Sequence, residues 1–210
     1  MKLVDVEGWN RREIYEYFKD YADPFFNLTA NLDVTELSRF CKEKKLSFSV
    51  ANLFYALQTL NEIREFKIRL KDERLVEFET IHATMTIAQA DETFSFCYFE
   101  MRDNVFDFNE NGRAAIEKYT RLKTLDVERE RLDLIYCSVI PWVSFTSFKH
   151  AGRFDRNFTI PRLVWGKSFE SEGRQKLPHS VEVHHALADG FHVGKYFVSL
   201  QEKLDSIRDL

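Results

Sequence analysis

Two hydrophobic periods alternate along this chain. RREIYEYFKD (residues 11–20) places Ile14, Tyr17 and Phe18 on one side, which predicts a helix. PFFNLTANLDV (24–34) alternates and predicts a strand. VTELSRFCKEKKL (34–46) returns to helical spacing, with Asp33 or Thr35 as its cap. SVANLFYALQTLNEI (49–63) predicts a second helix, apolar at Val50, Leu53, Phe54 and Leu57. FKIRLKDERLVEFET (66–80) reads as a hairpin turning near KDER. HATMTIAQ (82–89) and TFSFCYFEM (93–101) are strands around the turn ADE. NVFDFNENGRAAIEKYTRLKT (104–124) is charged and partly helical. LDLIYCSVIPWVSFTSF (132–148) is β-rich and interrupted by Pro141, and AGRFDRNFTIP (151–161) is a loop. RLVWGKSFESEG and KLPHSVEVHH pair around SEGRQ, and the helix GFHVGKYFVSLQEKLDSI (190–207) follows. The expectation is α/β: one domain over residues 1–210, with a large mixed sheet flanked by helices.

Composition narrows the function classes. The chain has 210 residues, enough for a sizeable core in a single domain. Its net charge of −4 argues against nucleic acid as a partner. Twenty phenylalanines suit a β-rich core or an aromatic-lined pocket. Three widely spaced cysteines form no CxxC pair or zinc-ligand spacing, so a reduced, cytoplasmic protein is expected. The charged start has no signal-peptide core, and no apolar run is long enough for a membrane span.

Three of the six histidines lie in one stretch, VEVHHALADGFHVGKYF (181–197). Four readings of the cluster stand side by side. His184 and His185 could be packed side chains at a strand end. His185, Asp189 and His192 could ligate a metal, although Gly190 interrupts helical ligand spacing. The helix start could bind phosphate, although one glycine without a following Lys-Ser/Thr is no P-loop. A neutral histidine could serve as general base, its tautomer fixed by a partner. The alternation Val181, Val183, His185 turns His185 toward the side of the valines.

HHALADG fits the pattern H-H-x-x-x-D-G and resembles the chloramphenicol acetyltransferase family. The shorter H-x-x-x-D-G core is shared with dihydrolipoyl acyltransferase cores and peptide-synthetase condensation domains. GWNRREIYEYF (8–18) is similar to the family's opening helix, ETFSF (92–96) to a core strand, and PWVSFTSF (141–148) to its active-site serine strand. Order and spacing match over nearly the whole chain. The resemblance implies an acetyl-CoA-dependent O-acetyltransferase acting on chloramphenicol or a similar small hydroxyl compound, without a metal. His185 would be the general base, and Ser147 would donate to the tetrahedral oxyanion. Asp189 would pair structurally with Arg11. Phe26, Phe94, Thr86 and Val164 would fall at the acceptor pocket. The family is a homotrimer with active sites at subunit interfaces.

The sequence departs from the family at Val164, where a threonine is expected, and at Phe18, where a tyrosine is common. Pro24 stands where many members carry a small or thiol residue, Phe96 stands where a small residue is common, and KHAGRFDRNF (149–158) replaces the usual segment after the serine. Two other functions share the motif or the fold. A dihydrolipoyl acyltransferase core would carry an arginine after the motif's first histidine. A non-catalytic trimeric binding protein would have no need of His185 and Ser147.

Overall fold

The computed structural model describes every residue except 123–124, 126–127, 129, 153–157 and 208–210. The elements run β1 (Lys2–Leu3), α1 (Arg12–Phe18), β2 (Phe25–Asp33), α2 (Thr35–Lys44) and α3 (Phe48–Asn61). A 3-10 turn (Arg64–Lys67) then leads into β3 (Ile68–Lys71), β4 (Arg74–Glu77), β5 (His82–Ala88) and β6 (Phe94–Phe99). Next come α4 (Val105–Leu122), β7 (Leu134–Val139), β8 (Arg162–Trp165), β9 (Phe169–Ser171), β10 (Arg174–His184) and α5 (Gly190–Ser206).

Most expected elements are present, and the differences have local causes. Helix α3 is buried almost all round, which suits a helix with apolar residues on every face. On α1 the half-buried side is Ile14, Tyr15 and Phe18, while Tyr17 is exposed. Asp33 serves α2 from just outside the helix: its Oδ1 accepts from the Thr35 N–H at 3.0 Å and the Thr35 hydroxyl at 2.7 Å. The strand expected through residues 141–148 is absent. Strand β7 stops at Val139, and Pro141, which has no N–H for a ladder, sits in a turn. The expected loop at 151–161 and the end of the expected helix at 104–124 fall partly outside the described residues.

The main sheet is mixed, ordered β2-β10-β8-β7-β5-β6, with β9 beside β10. Registered pairs give its two faces different characters. Val181, Leu163, Cys137, Met85 and Cys97 form one apolar row across five strands. Helices α2, α3, α4 and α5 pack on this face with Leu37, Leu53, Leu57, Phe108 and Tyr196 in one core. One residue along, the other face carries Glu182, Arg162, Tyr136, Thr84 and Tyr98. There Arg162 pairs with the buried Glu182, and its guanidinium lies 4.7 Å from the Phe25 ring centre and 4.6 Å from that of Phe158.

A second sheet, β1-β4-β3, builds a satellite cluster of Val4, Trp9, Ile68, Leu75 and Leu187. Leu187 comes from the histidine-rich turn, so that turn is anchored in this cluster while β10 belongs to the main sheet. No helix among the described residues is long and apolar enough to cross a membrane.

Candidate active site

The turn after β10 is closed by its own histidine. The Leu187 and Ala188 amides donate to the His184 carbonyl at 2.9 and 3.1 Å, and the Ala186 amide donates to His184 Nδ1 at 3.3 Å. His185 N–H donates to the Pro24 carbonyl at 2.8 Å, tying the turn to the start of β2. Because His184 Nδ1 accepts, its proton sits on Nε2. Burial, and then the neighbouring His185, push the His184 imidazole down to about 4, which keeps it neutral near pH 7.

Asp189 ends the turn as the N-cap of α5, accepting from the Phe191 N–H at 3.0 Å. Its other oxygen accepts from Arg11 Nη1 at 2.5 Å. Burial alone would raise the Asp189 carboxyl. The Arg11 hydrogen bond and charge, the His192 charge and the Phe191 N–H outweigh it and hold the group at about 2. Arg11 is itself buried, so the pair fastens the N-terminus of α1 to the motif. With both oxygens engaged, Asp189 does not orient His185. An ionised carboxylate at the helix start also disfavours phosphate there.

His185 lies one residue beyond the strand. Its ring stacks on Phe18 with centroids 4.1 Å apart and planes 5° apart, and it touches Phe26 at 4.8 Å. Nδ1 is buried without a partner, whereas Nε2 is not buried. Two aromatic faces thus hold the imidazole, and Nε2 is the atom that can exchange a proton with a bound hydroxyl. Among the described residues, no three His, Cys, Asp or Glu side chains are grouped to hold a metal ion.

The other sequence-derived candidates lie elsewhere. Phe26 is beside His185, but Val164, Thr86 and Phe94 share the opposite sheet face. Thr86 is three strands from β10 and five residues along in register, roughly 14 Å across and 17 Å along. Phe94 is one strand further, on the sheet edge, half exposed and 5.7 Å from the ring of Phe96. Val164 is wholly buried. Ser147 is exposed in the irregular chain after β7. One chain therefore places the motif at one corner of the sheet and Thr86 and Phe94 toward the diagonally opposite corner.

The segment leading to Ser147 is held against the end of β8. Lys167 N–H donates to the Val143 carbonyl at 2.9 Å, and Ser144 Oγ donates to the Lys167 carbonyl at 2.6 Å. Gly166 permits this approach: a Cβ there would lie 2.7 Å from the Val143 oxygen and 3.0 Å from the Phe145 ring. Gly166→Ala is expected to cost about 1–3 kcal/mol, as overpacking does, and to displace the chain before Ser147. Urea unfolding measures the cost, and an unchanged midpoint would show that the segment yields freely.

Two contributors escaped the sequence reading. Glu65, from the 3-10 turn, lies 3.6 Å from His192, with no motif to mark it. The role of His184 in closing its own turn follows from backbone geometry. The only available signal was its place in the doubled histidine.

A family model described as chloramphenicol acetyltransferase matches residues 1–201. The chain is 31% identical over 203 residues to the chloramphenicol acetyltransferase of Clostridium perfringens, covering 95% of this chain and 93% of that one. It is 31% identical over 204 residues to an Escherichia coli chloramphenicol acetyltransferase, covering 96% and 93%. A solved chloramphenicol acetyltransferase structure superposes with a TM-score of 0.86 at 24% identity, over 97% of this chain and 99% of that chain. The cubic core of the pyruvate dehydrogenase multienzyme complex shares the fold, with a TM-score of 0.67 at 16% identity, over 100% and 92%.

Proposed function

The chain belongs to the chloramphenicol acetyltransferase family, a family of acyltransferases, and from that premise we propose that it moves the acetyl group of acetyl-CoA onto a hydroxyl of chloramphenicol or a similar small hydroxyl compound. The observation that carries the reading is the HHxxxDG turn itself, pinned by Arg11 and Leu187 while His185 Nε2 is left unburied. In this mechanism Nε2 takes the acceptor's hydroxyl proton as its oxygen attacks the thioester carbonyl. Ser147 Oγ donates to the tetrahedral oxyanion. The C–S bond then breaks, and the departing CoA sulfur receives the proton from His185. Asp189 and Arg11 hold the turn, and no metal takes part.

Phe26, Phe94 and Thr86 enter as the acceptor pocket, and Val164, wholly buried, acts on it only through its neighbours. The distance of Thr86 and Phe94 from His185 within one chain supports a site assembled from two copies, with the base from one and the far sheet corner from its neighbour. A homotrimer closes such a contact, because a heterologous interface repeated three times forms a ring. The exposed Trp142, Val143 and Phe94 supply apolar surface for it. Cys41, Cys97 and Cys137 are free and buried, in keeping with a cytoplasmic setting.

Thiol release from acetyl-CoA with chloramphenicol, together with light scattering at micromolar protein, tests the reading. Turnover by an assembly of three chains is the expected result. A monomer that still acetylates would overturn the shared site. Turnover of other hydroxyl compounds but not chloramphenicol would move the acceptor, a result that the buried Val164 and the bulky Phe18 and Phe96 favour.

A further inference from the structure

Asp189 and its partner Arg11 do not complete the charged cluster behind the motif. His192 is the third residue of α5, and only about 9% of its surface is exposed. Its Nδ1 lies 2.8 Å from Asp189 Oδ1 and 3.2 Å from the Asp189 amide. An ionised carboxylate only accepts, so the contact with Oδ1 needs a proton on Nδ1, and the contact of the ring's other nitrogen with the Glu65 carboxylate needs a second proton there. Nε2 faces Glu65 Oε2, 3.6 Å away, an ion-pair separation. The His192 hydrogen bond, against the opposing effect of burial, holds the Glu65 carboxyl below its usual range. Arg11, Asp189, His192 and Glu65 therefore alternate in an unbroken line.

The line joins three parts of the fold. Arg11 precedes α1, Asp189 and His192 open α5, and Glu65 sits in the 3-10 turn, three residues before Ile68. Ile68 and Leu187 share the satellite cluster, so the same two segments are joined by apolar contact and by the polar line. Both links act on residues 185–189, whose backbone places the His185 ring between Phe18 and Phe26.

We propose that Glu65 and His192 are positioning residues for the transfer, acting through Asp189 on the turn that carries His185. The proposal rests on the acyltransfer reading above for its kinetic consequence, but its structural consequence stands alone. A displacement of about 1 Å at a reacting group can lower the rate by about 100-fold. Removing the Glu65 carboxylate frees one end of the line and lets the turn drift.

The test uses the full chain and Glu65→Leu, which keeps the bulk and removes the carboxylate. Expected is a fall in kcat of about 10- to 100-fold with the KM for acetyl-CoA unchanged, since Glu65 touches neither substrate. Adding His192→Ala to Glu65→Leu should lower kcat no further than His192→Ala alone, as members of one line are coupled. Glu65→Gln, which can still hydrogen-bond to the ring, should recover most of the lost rate. Independently of activity, the His185 ring protons, shielded by the stacked Phe18, should shift downfield in the NMR spectrum of Glu65→Leu. If that variant does not fold, Glu65→Gln should shift the same signals the same way by less. Wild-type kcat with unmoved His185 signals would overturn the proposal. If the wild-type protein releases no thiol, the acyltransfer reading fails, and the His185 signals alone decide the positioning role: moved supports it, unmoved overturns it.

Discussion

Replacing His185 by alanine is expected to lower acetyl transfer by about 100- to 10,000-fold, the range for loss of a general base. The size follows from how little else could take the proton. Asp189 is engaged by Arg11, Phe191 and His192, and the buried His184 accepts from the Ala186 amide and stays neutral near pH 7. Neither can replace Nε2 without dismantling the turn. Acetyl-CoA binding should survive, because the base meets the hydroxyl and carries little of the donor's affinity. Turnover and acetyl-CoA affinity are measured side by side, with and without EDTA. Near wild-type turnover in the variant would remove His185 from the chemistry. Loss of wild-type activity in EDTA would restore the metal reading.

Acid is expected to destabilise the protein well before its carboxylates protonate. His179 is wholly inside the core, its Nε2 2.9 Å from the Tyr196 hydroxyl, and burial pushes it down to about 3. His184 stands at about 4. An unfolded histidine titrates near 6.5. Both folded values are depressed, so between about 6.5 and 4 the unfolded chain binds protons that the folded chain does not. Stability is full above about pH 6.5 and falls as pH drops, by up to about 1.4 kcal/mol per pH unit for each histidine. From pH 6.5 to 5 the loss should be roughly 3 kcal/mol. Asp189, held at about 2, adds its own loss only below about pH 4. Urea unfolding at fixed protein concentration across this window reads the slope, and His179→Gln should remove about half of it. A flat profile would mean that these histidines protonate in place.

Local periodicity carried the secondary structure a long way. The alternation in residues 24–34 became β2, and the apolar crowding of 49–63 became the buried α3. KDER turned as expected, with Asp72 and Glu73 at positive φ, the backbone that a tight two-residue hairpin requires. Pro141 was legible as an interruption of a β-rich stretch, and in the fold the missing donor ended the strand, so the serine strand that the family resemblance implied beyond it is irregular chain.

By itself the sequence determined most of the elements, the HHxxxDG motif and the family that the motif announces, because these depend on residues close together in the chain. The pattern Val181, Val183, His185 even set the side to which the His185 ring turns, since the side-chain period of a strand is two. Tertiary structure alone decided which distant groups meet there. Strand order and register put Thr86 and Phe94 diagonally away from His185, although all three are legible as candidates in the sequence. Folding also brought Glu65 to His192 across more than half the chain, and Phe18 flat against the imidazole. Such contacts depend on how sheets and helices pack, and neighbouring residues in the chain hold no record of that packing.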